Sequence, residues 1–193
     1  MDESFIIECV SSEVFFDGFK EESNEEFQEF LHSGNSIFYS EEEKERYRSI
    51  KPDFKDEAFL YFIVKRDDVV VARSFSNQIS IDTIMMCMSY VKKDFRGRGL
   101  YKLMLQETIE RAKDIGYRKI QSYHNTTNND IIIPKLKAGF VFTGMKINAG
   151  YGTLAELTYF FNKDERDAVD FRTGYRRPSK KVSEVFNLSM CEV

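Results

Sequence analysis

The chain has no tryptophan and, among 193 residues, only three cysteines, three prolines and two histidines. Cys9, Cys87 and Cys191 stand far apart, with neither metal-ligand spacing nor the paired pattern of a disulfide framework. A metal centre and a disulfide-stapled scaffold are therefore both disfavoured. No apolar run approaches the ~20 residues that a membrane-spanning helix needs. The opening MDESFIIECV has no signal-peptide pattern. Together these features predict a cytoplasmic protein with no membrane partner. There is also no internal repeat and no low-complexity tract. Strong charge of one sign is missing too: the net charge of −4 argues against nucleic acid as a partner through bulk electrostatics, so any basic patch must be local.

What is present suits one domain with a sizeable core. Hydrophobic residues make up 42% and charged residues 31%, a globular balance, and eighteen phenylalanines with ten tyrosines supply core material. SFIIECV (4–10) reads as a strand. Phe27, Phe30 and Leu31 recur at helical spacing in 20–32, and Ser40 with Glu43 begins a second helix over 40–50 as a capping box. Pro52 ends that region. The runs 58–66 and 68–78 read as a hairpin that turns at Asp67-Asp68 or nearby residues. The run 81–91 is apolar on both faces, which predicts a central strand covered on both sides. A helix follows over 99–115, with Leu105, Ile109 and Ala112 on one stripe and Gly116 as its stop. Next come a strand at 117–125 and a helix from Asn128 or Asn129 to Gly139, in which Pro134 is unwelcome unless it lies in the first turn or the helix is kinked there. Strands at 140–150 and 153–162 complete the pattern. The fold class is therefore α/β: a mixed, mostly antiparallel sheet flanked by helices, over residues 1–162. Residues 163–193 read as a charged C-terminal extension anchored by Phe171, Tyr175, Val185, Phe186 and Leu188, either draped on the domain or swapped onto a partner.

One stretch carries chemistry. In YVKKDFRGRGLYKLML (90–105), Gly97 and Gly99 alternate with Arg96 and Arg98 where a strand hands over to a helix. A helix start leaves about four N–H groups unpaired and carries a partial positive charge, which suits a phosphate. Glycine permits positive φ and removes the Cβ that would keep an anion away. Lys92, Lys93 and Lys102 add charge. A dinucleotide fingerprint would need glycine at Lys102, and no Gly-Lys-Ser/Thr follows as a P-loop requires.

The segment Asp94-Phe95-Arg96-Gly97-Arg98-Gly99 resembles the pyrophosphate-binding motif of the GNAT superfamily of acyl-CoA-dependent N-acyltransferases, Arg/Gln-x-x-Gly-x-Gly/Ala after the fourth strand. Asp94 departs from the pattern at its first position. Tyr101 stands where a smaller residue is common, and its ring must find room beside the phosphates. HNTTNNDIIIPKLKAGFVFTG is similar to the family's second cofactor segment, with Gly139-Phe140 as signature, and the resemblance spans about residues 55–162. It implies a GNAT fold in which the fourth and fifth strands splay around acetyl-CoA, the acyl-donor cosubstrate, with no metal. Implied coenzyme contacts are Ser89, Tyr90 and Val91 along the pantetheine arm, Arg96, Gly97, Arg98, Gly99, Leu100, Tyr101 and Lys102 at the pyrophosphate, and Asn128.

The implied activity is N-acetyl transfer from acetyl-CoA directly to an amine of a small molecule or protein. Much of the family uses a tyrosine four residues before the Gly-Phe signature as general acid. Here that position is Lys135, expected to be solvated or to bind a CoA phosphate. The catalytic residues therefore stay open. Tyr123, with Tyr90 and Tyr151, could substitute as acid; Asp82 and Glu156 are candidate bases; His124 could titrate near neutrality. Each has a plain structural reading as well. Cys87 reads as a small buried apolar residue. Asn125 and Asn128 could cap the helix, hold water or touch the coenzyme, and capping alone would account for Asn128. A non-catalytic acyl-CoA-binding regulatory or interaction module with the same fold is the alternative reading. The C-terminal segment and long final strands leave room for a homodimer.

Overall fold

The computed structural model describes residues 4–17, 19, 40–42 and 59–188. The helix expected at 20–32 and most of that at 40–50 lie outside them. Among the described residues, seven strands form one sheet: β1 (Ile6–Cys9), β2 (Phe59–Arg66), β3 (Val69–Ser80), β4 (Thr83–Val91), β5 (Lys119–Asn125), β6 (Val141–Asn148) and β7 (Gly152–Phe160). Their order is β1-β2-β3-β4-β5-β7-β6, so β7 inserts between β5 and β6. Every pairing is antiparallel except β4 with β5. That parallel pair needs a crossover, supplied by helix α2 (Leu100–Ile115), which follows the short helix α1 (Ser12–Phe16). Helix α3 (Asn129–Lys137) lies between β5 and β6.

The hairpin turn falls at Asp67 and Asp68, both at positive φ (49° and 64°), a conformation that short-side-chain acids tolerate. β4 lies between β3 and β5, the central place its apolar pattern predicts. Cross-strand partners share a face, so the register sorts the side chains. One face carries Leu60 and Phe62 of β2, Ile84 and Met86 of β4, Ile120 of β5 and Leu157 of β7. These pack with Leu105 and Ala112 of α2 and with Phe140 beyond α3. The opposite face carries Phe15 of α1 against Tyr61 and Phe75. Buried Arg73 of β3 ties α1 to the sheet by donating to the Phe15 and Asp17 carbonyls.

Some expectations meet corrections. α1, capped by Ser11, is too short to leave a periodic signal and was not foreseen. Pro134 sits inside α3 past its first turn rather than within it; the hydrogen bond it cannot donate would have gone to the Asp130 carbonyl. In the C-terminal segment, Asn162 caps helix α4 (Lys163–Arg172) and Ser179 caps helix α5 (Lys180–Val185). Phe171 and Phe186 pack together, 6.2 Å between ring centres, and Arg172 covers Phe186. Tyr175 and Val185, expected as anchors, are exposed; buried Val182 takes that role. Arg166 donates to the Gly139 carbonyl (3.0 Å) and Arg118 pairs with Glu165 (3.1 Å), holding α4 against the domain.

Candidate active site

β4 and β5 are bonded only at Thr83↔Lys119, Ile84↔Ile120 and Met85↔Gln121. β4 continues to Val91 along β3, and β5 continues to Asn125 along β7. A gap therefore opens inside the sheet from Met86 and Ser122 outward. The register of β3 with β4 shows a cause. Phe75 pairs with Met88 but Ser76 pairs with Met86, so Cys87 is an extra residue, and a bulge bends its strand and tightens the local twist. Alternate peptide groups of β4 beyond the bulge face the gap, and among the described residues β5 no longer pairs with them there. An extended ligand can pair there as an added strand does.

The motif stands at the open end of β4. A 3-10 turn (Lys93–Phe95) leads into Gly97 and Gly99, at φ 74° and 82°. A Cβ placed on either glycine would meet no atom of the described residues within 4 Å, so among them the space over this turn is open, and the positive φ disfavours any side chain there. Gly99 is the N-cap of α2 and has no side chain to cap with. The first turn holds no acid. The Leu103 N–H donates to the Gly99 carbonyl (3.0 Å), so the N–H groups of Leu100, Tyr101 and Lys102 precede the helical ladder. Buried Leu100 anchors this end of the helix. Arg96 donates to the Val91 carbonyl (3.0 Å), and Arg98 donates to the Asp94 carbonyl (3.3 Å) while lying 5.5 Å from the Phe95 ring centre. Donors and open space of this kind fit a pyrophosphate. Tyr101 corrects the expectation of a ring beside the phosphates. Its side chain packs into the core, where its buried hydroxyl has no partner among the described residues and burial raises its pKa.

The far wall, β5 and α3, carries the larger correction. Lys135 is neither solvated nor phosphate-facing; it is 1% exposed. Its Nζ donates to the Met86 sulfur (3.3 Å) and lies 4.9 Å from the centre of the Phe140 ring. Desolvation pulls its pKa from 10.5 down to about 7. His124 shares this face of the sheet. Burial, with the nearby Lys135 charge, lowers its pKa to about 3, so the imidazole is neutral across the physiological range, and its Nε2 has no partner among the described residues. The expectation that His124 titrates near neutrality is thus overturned. The Ser122 and Ser76 hydroxyls are likewise buried without partners among the described residues.

The remaining candidates separate. Tyr123 and Glu156 are cross-strand partners on the α1 face. The Glu156 carboxylate accepts from Tyr123 (2.9 Å) and from Thr143 (2.7 Å), and burial is the main cause raising the Tyr123 pKa. Cys87 is exposed on the same face rather than buried. Its thiol donates to Asn77 Oδ1 (2.6 Å) and is tucked in closely enough that burial raises its pKa. Asp82 precedes β4 at the closed end of the gap. It accepts from Ser80 (2.8 Å) and Thr83 (2.7 Å), contacts that lower its pKa, and it sits beside Arg118 and Lys119. With its amide nitrogen rather than its oxygen turned toward the β6–β7 turn, the orientation its surroundings favour, Asn125 can donate to the Tyr151 and Thr153 carbonyls (3.2 and 3.3 Å). Asn128 occupies the N-cap of α3 but makes no side-chain cap bond, so capping does not account for its amide.

A model of the acetyltransferase (GNAT) family matches residues 18–140. The chain belongs to this family. GNAT membership makes it an acyltransferase and fits the parted strands and the glycine turn. No curated protein matches the sequence. Among solved structures, the ribosomal-protein-S18-alanine N-acetyltransferase of Escherichia coli is 13% identical over 82% of this chain and 95% of its own, with a TM-score of 0.58. A putative acetyltransferase from Salmonella typhimurium with its cofactor acetyl-CoA is 14% identical over 83% of this chain and 95% of its own, with a TM-score of 0.62. A GNAT acetyltransferase from Elizabethkingia anophelis with acetyl-CoA bound is 14% identical over 83% of this chain and all of its own, with a TM-score of 0.55. At these identities the likeness shows the GNAT fold.

Proposed function

We propose that the protein transfers an acetyl group from acetyl-CoA directly to an amine. The observation that carries this reading is the gap between β4 and β5, which leads to an uncapped helix start beside two positive-φ glycines. In this reading the N–H groups of Gly99, Leu100, Tyr101 and Lys102 hold the pyrophosphate, with Arg96 and Arg98 adding charge. The gap-facing backbone around Ser89, Tyr90 and Val91 pairs with the pantetheine arm, and Asn128 offers its amide from the far wall. Fixed backbone dipoles near the bulge then polarise the thioester carbonyl. The acceptor amine comes from the α1 face, where Tyr123 and Thr143 donate to the Glu156 carboxylate and fix its position. There Glu156 orients the incoming amine and takes its proton. Calorimetric titration with CoA, for the wild type and Gly99→Asp, tests the donor site. Release of CoA thiol from acetyl-CoA across small amines and peptides with free amino groups tests the chemistry. Micromolar CoA binding lost in Gly99→Asp, with thiol release on at least one amine, is the expected result. Binding without release on any amine would instead favour a CoA-binding module.

A further inference from the structure

Lys135 has no part in the steps above, yet its placement is costly. An ammonium removed from water without a counter-charge is strongly disfavoured. Lysines normally avoid this by reaching to the surface or by pairing. Lys135 does neither: among the described residues no carboxylate pairs with it, and its nitrogen meets only a thioether and an aromatic face. Titratable groups act on it from both flanking strands, the Cys87 thiol on β4 and the His124 imidazole on β5, and neither supplies a standing negative charge. A leucine or methionine would fill this site at lower cost. The place itself is specific: Met86 is the first β4 residue beyond the last β4–β5 pair, so the amine sits where the gap begins.

We infer that Lys135 is the general acid that protonates the departing CoA thiolate. The inference rests on the acetyl-transfer reading. As the acceptor nitrogen bonds to the acetyl carbon, the carbon–sulfur bond breaks and its electron pair stays on sulfur. Lys135 gives that sulfur a proton and is left as a neutral amine. The new amide nitrogen sheds its surplus proton by way of Glu156, and Lys135 regains one from solvent, so one proton moves in net from nitrogen to sulfur. Two other candidates, His124 and Tyr123, fail this role. His124 is neutral and carries no spare proton near pH 7. Tyr123 lies on the opposite face with its proton committed to Glu156. A lysine titrating at about 7 is protonated often enough to act and acidic enough to give its proton up.

Lys135→Met tests this, assayed with acetyl-CoA and the amine that gives the fastest wild-type release. The variant should bind CoA within about 3-fold of the wild type while kcat falls about 100-fold, a general-acid effect. The wild-type kcat should decline as pH rises through about 7, and the variant should lose that limb. Independently of turnover, NMR of 13Cε-lysine-labelled wild type should show one resonance titrating near 7, which holds even should the variant fail to fold. A Lys135→Met enzyme with normal kcat and pH profile, or no lysine titrating below 9 or so, overturns the inference and leaves the parent reading standing. Absence of CoA binding, or of turnover on any amine, overturns both.

Discussion

The two walls of the β4–β5 gap are built on opposite principles. The β4–α2 wall ends in open space, backbone donors and exposed cations, an arrangement suited to an anion arriving from water. The β5–α3 wall is dry: Lys135, His124 and Ser122 hold polar atoms out of water with few or no partners. Placing a phosphate needs accessible positive potential, whereas shifting a proton near pH 7 needs burial that perturbs an amine. The same gap supplies both because one end is open to solvent and the other is closed by the core.

Four experiments would sharpen or break this contrast. The largest effect should come from Gly99→Asp, which sets a carboxylate and a Cβ at φ 82° over the uncapped helix start. CoA affinity should fall about 100-fold or more by calorimetry, while the cost to folding stays near 1 kcal/mol because asparagine and aspartate tolerate that conformation. A loss under 3-fold would remove the anion role of this wall.

Next comes the stability of the dry wall. Lys135 titrates at about 7 when folded and at 10.5 ordinarily, so between those values the unfolded chain holds more protons. Stability should therefore rise as pH climbs from about 7 toward 10.5, with the penalty fully present below 7. Lys135→Met should be the more stable protein at pH 7 and should lose that slope, as read from denaturant midpoints across the range. A wild-type midpoint that stays flat with pH would mean the amine reaches water. His124 acts on the acid side: folded at about 3 against 6.5 ordinarily, it lowers stability as pH falls from 6.5 toward 3.

A smaller effect is expected at Arg98, an exposed cation of the open wall. Arg98→Ala should weaken CoA binding about 3- to 10-fold at low salt and less at high salt, because solvent screens surface charges. The smallest belongs to Asp82. Held in the turn by two hydroxyls and beside two cations at the closed end, it should tolerate Asp82→Asn with turnover within about 2-fold, because solvent screens such surface contacts. A large loss of turnover would return Asp82 to the chemistry.

How far each feature was legible follows from the range of the interactions that make it. The Gly97-x-Gly99 turn, the α2 stripe and the Asp67-Asp68 hairpin are set by neighbours a few residues apart, so their pattern survives in the linear chain. Cys87 was misread because its exposure arises from a bulge, and a bulge is a mismatch between two strands rather than a property of either. Lys135 was misread because nothing within four residues of it shows that Met86, 49 positions away, and Phe140 enclose its amine. Tyr101 turned inward for the same reason: the space for its ring is supplied by the sheet.

The sequence by itself determined the α/β pattern, the central place of β4 and the site where backbone donors gather, because periodicity and glycine stereochemistry act locally. Only the tertiary structure decided where β4 and β5 part, which side chains face which side of that gap, and that a lysine would be shut away from water beside it. Those are matters of register and burial, and they exist only once distant segments pack together.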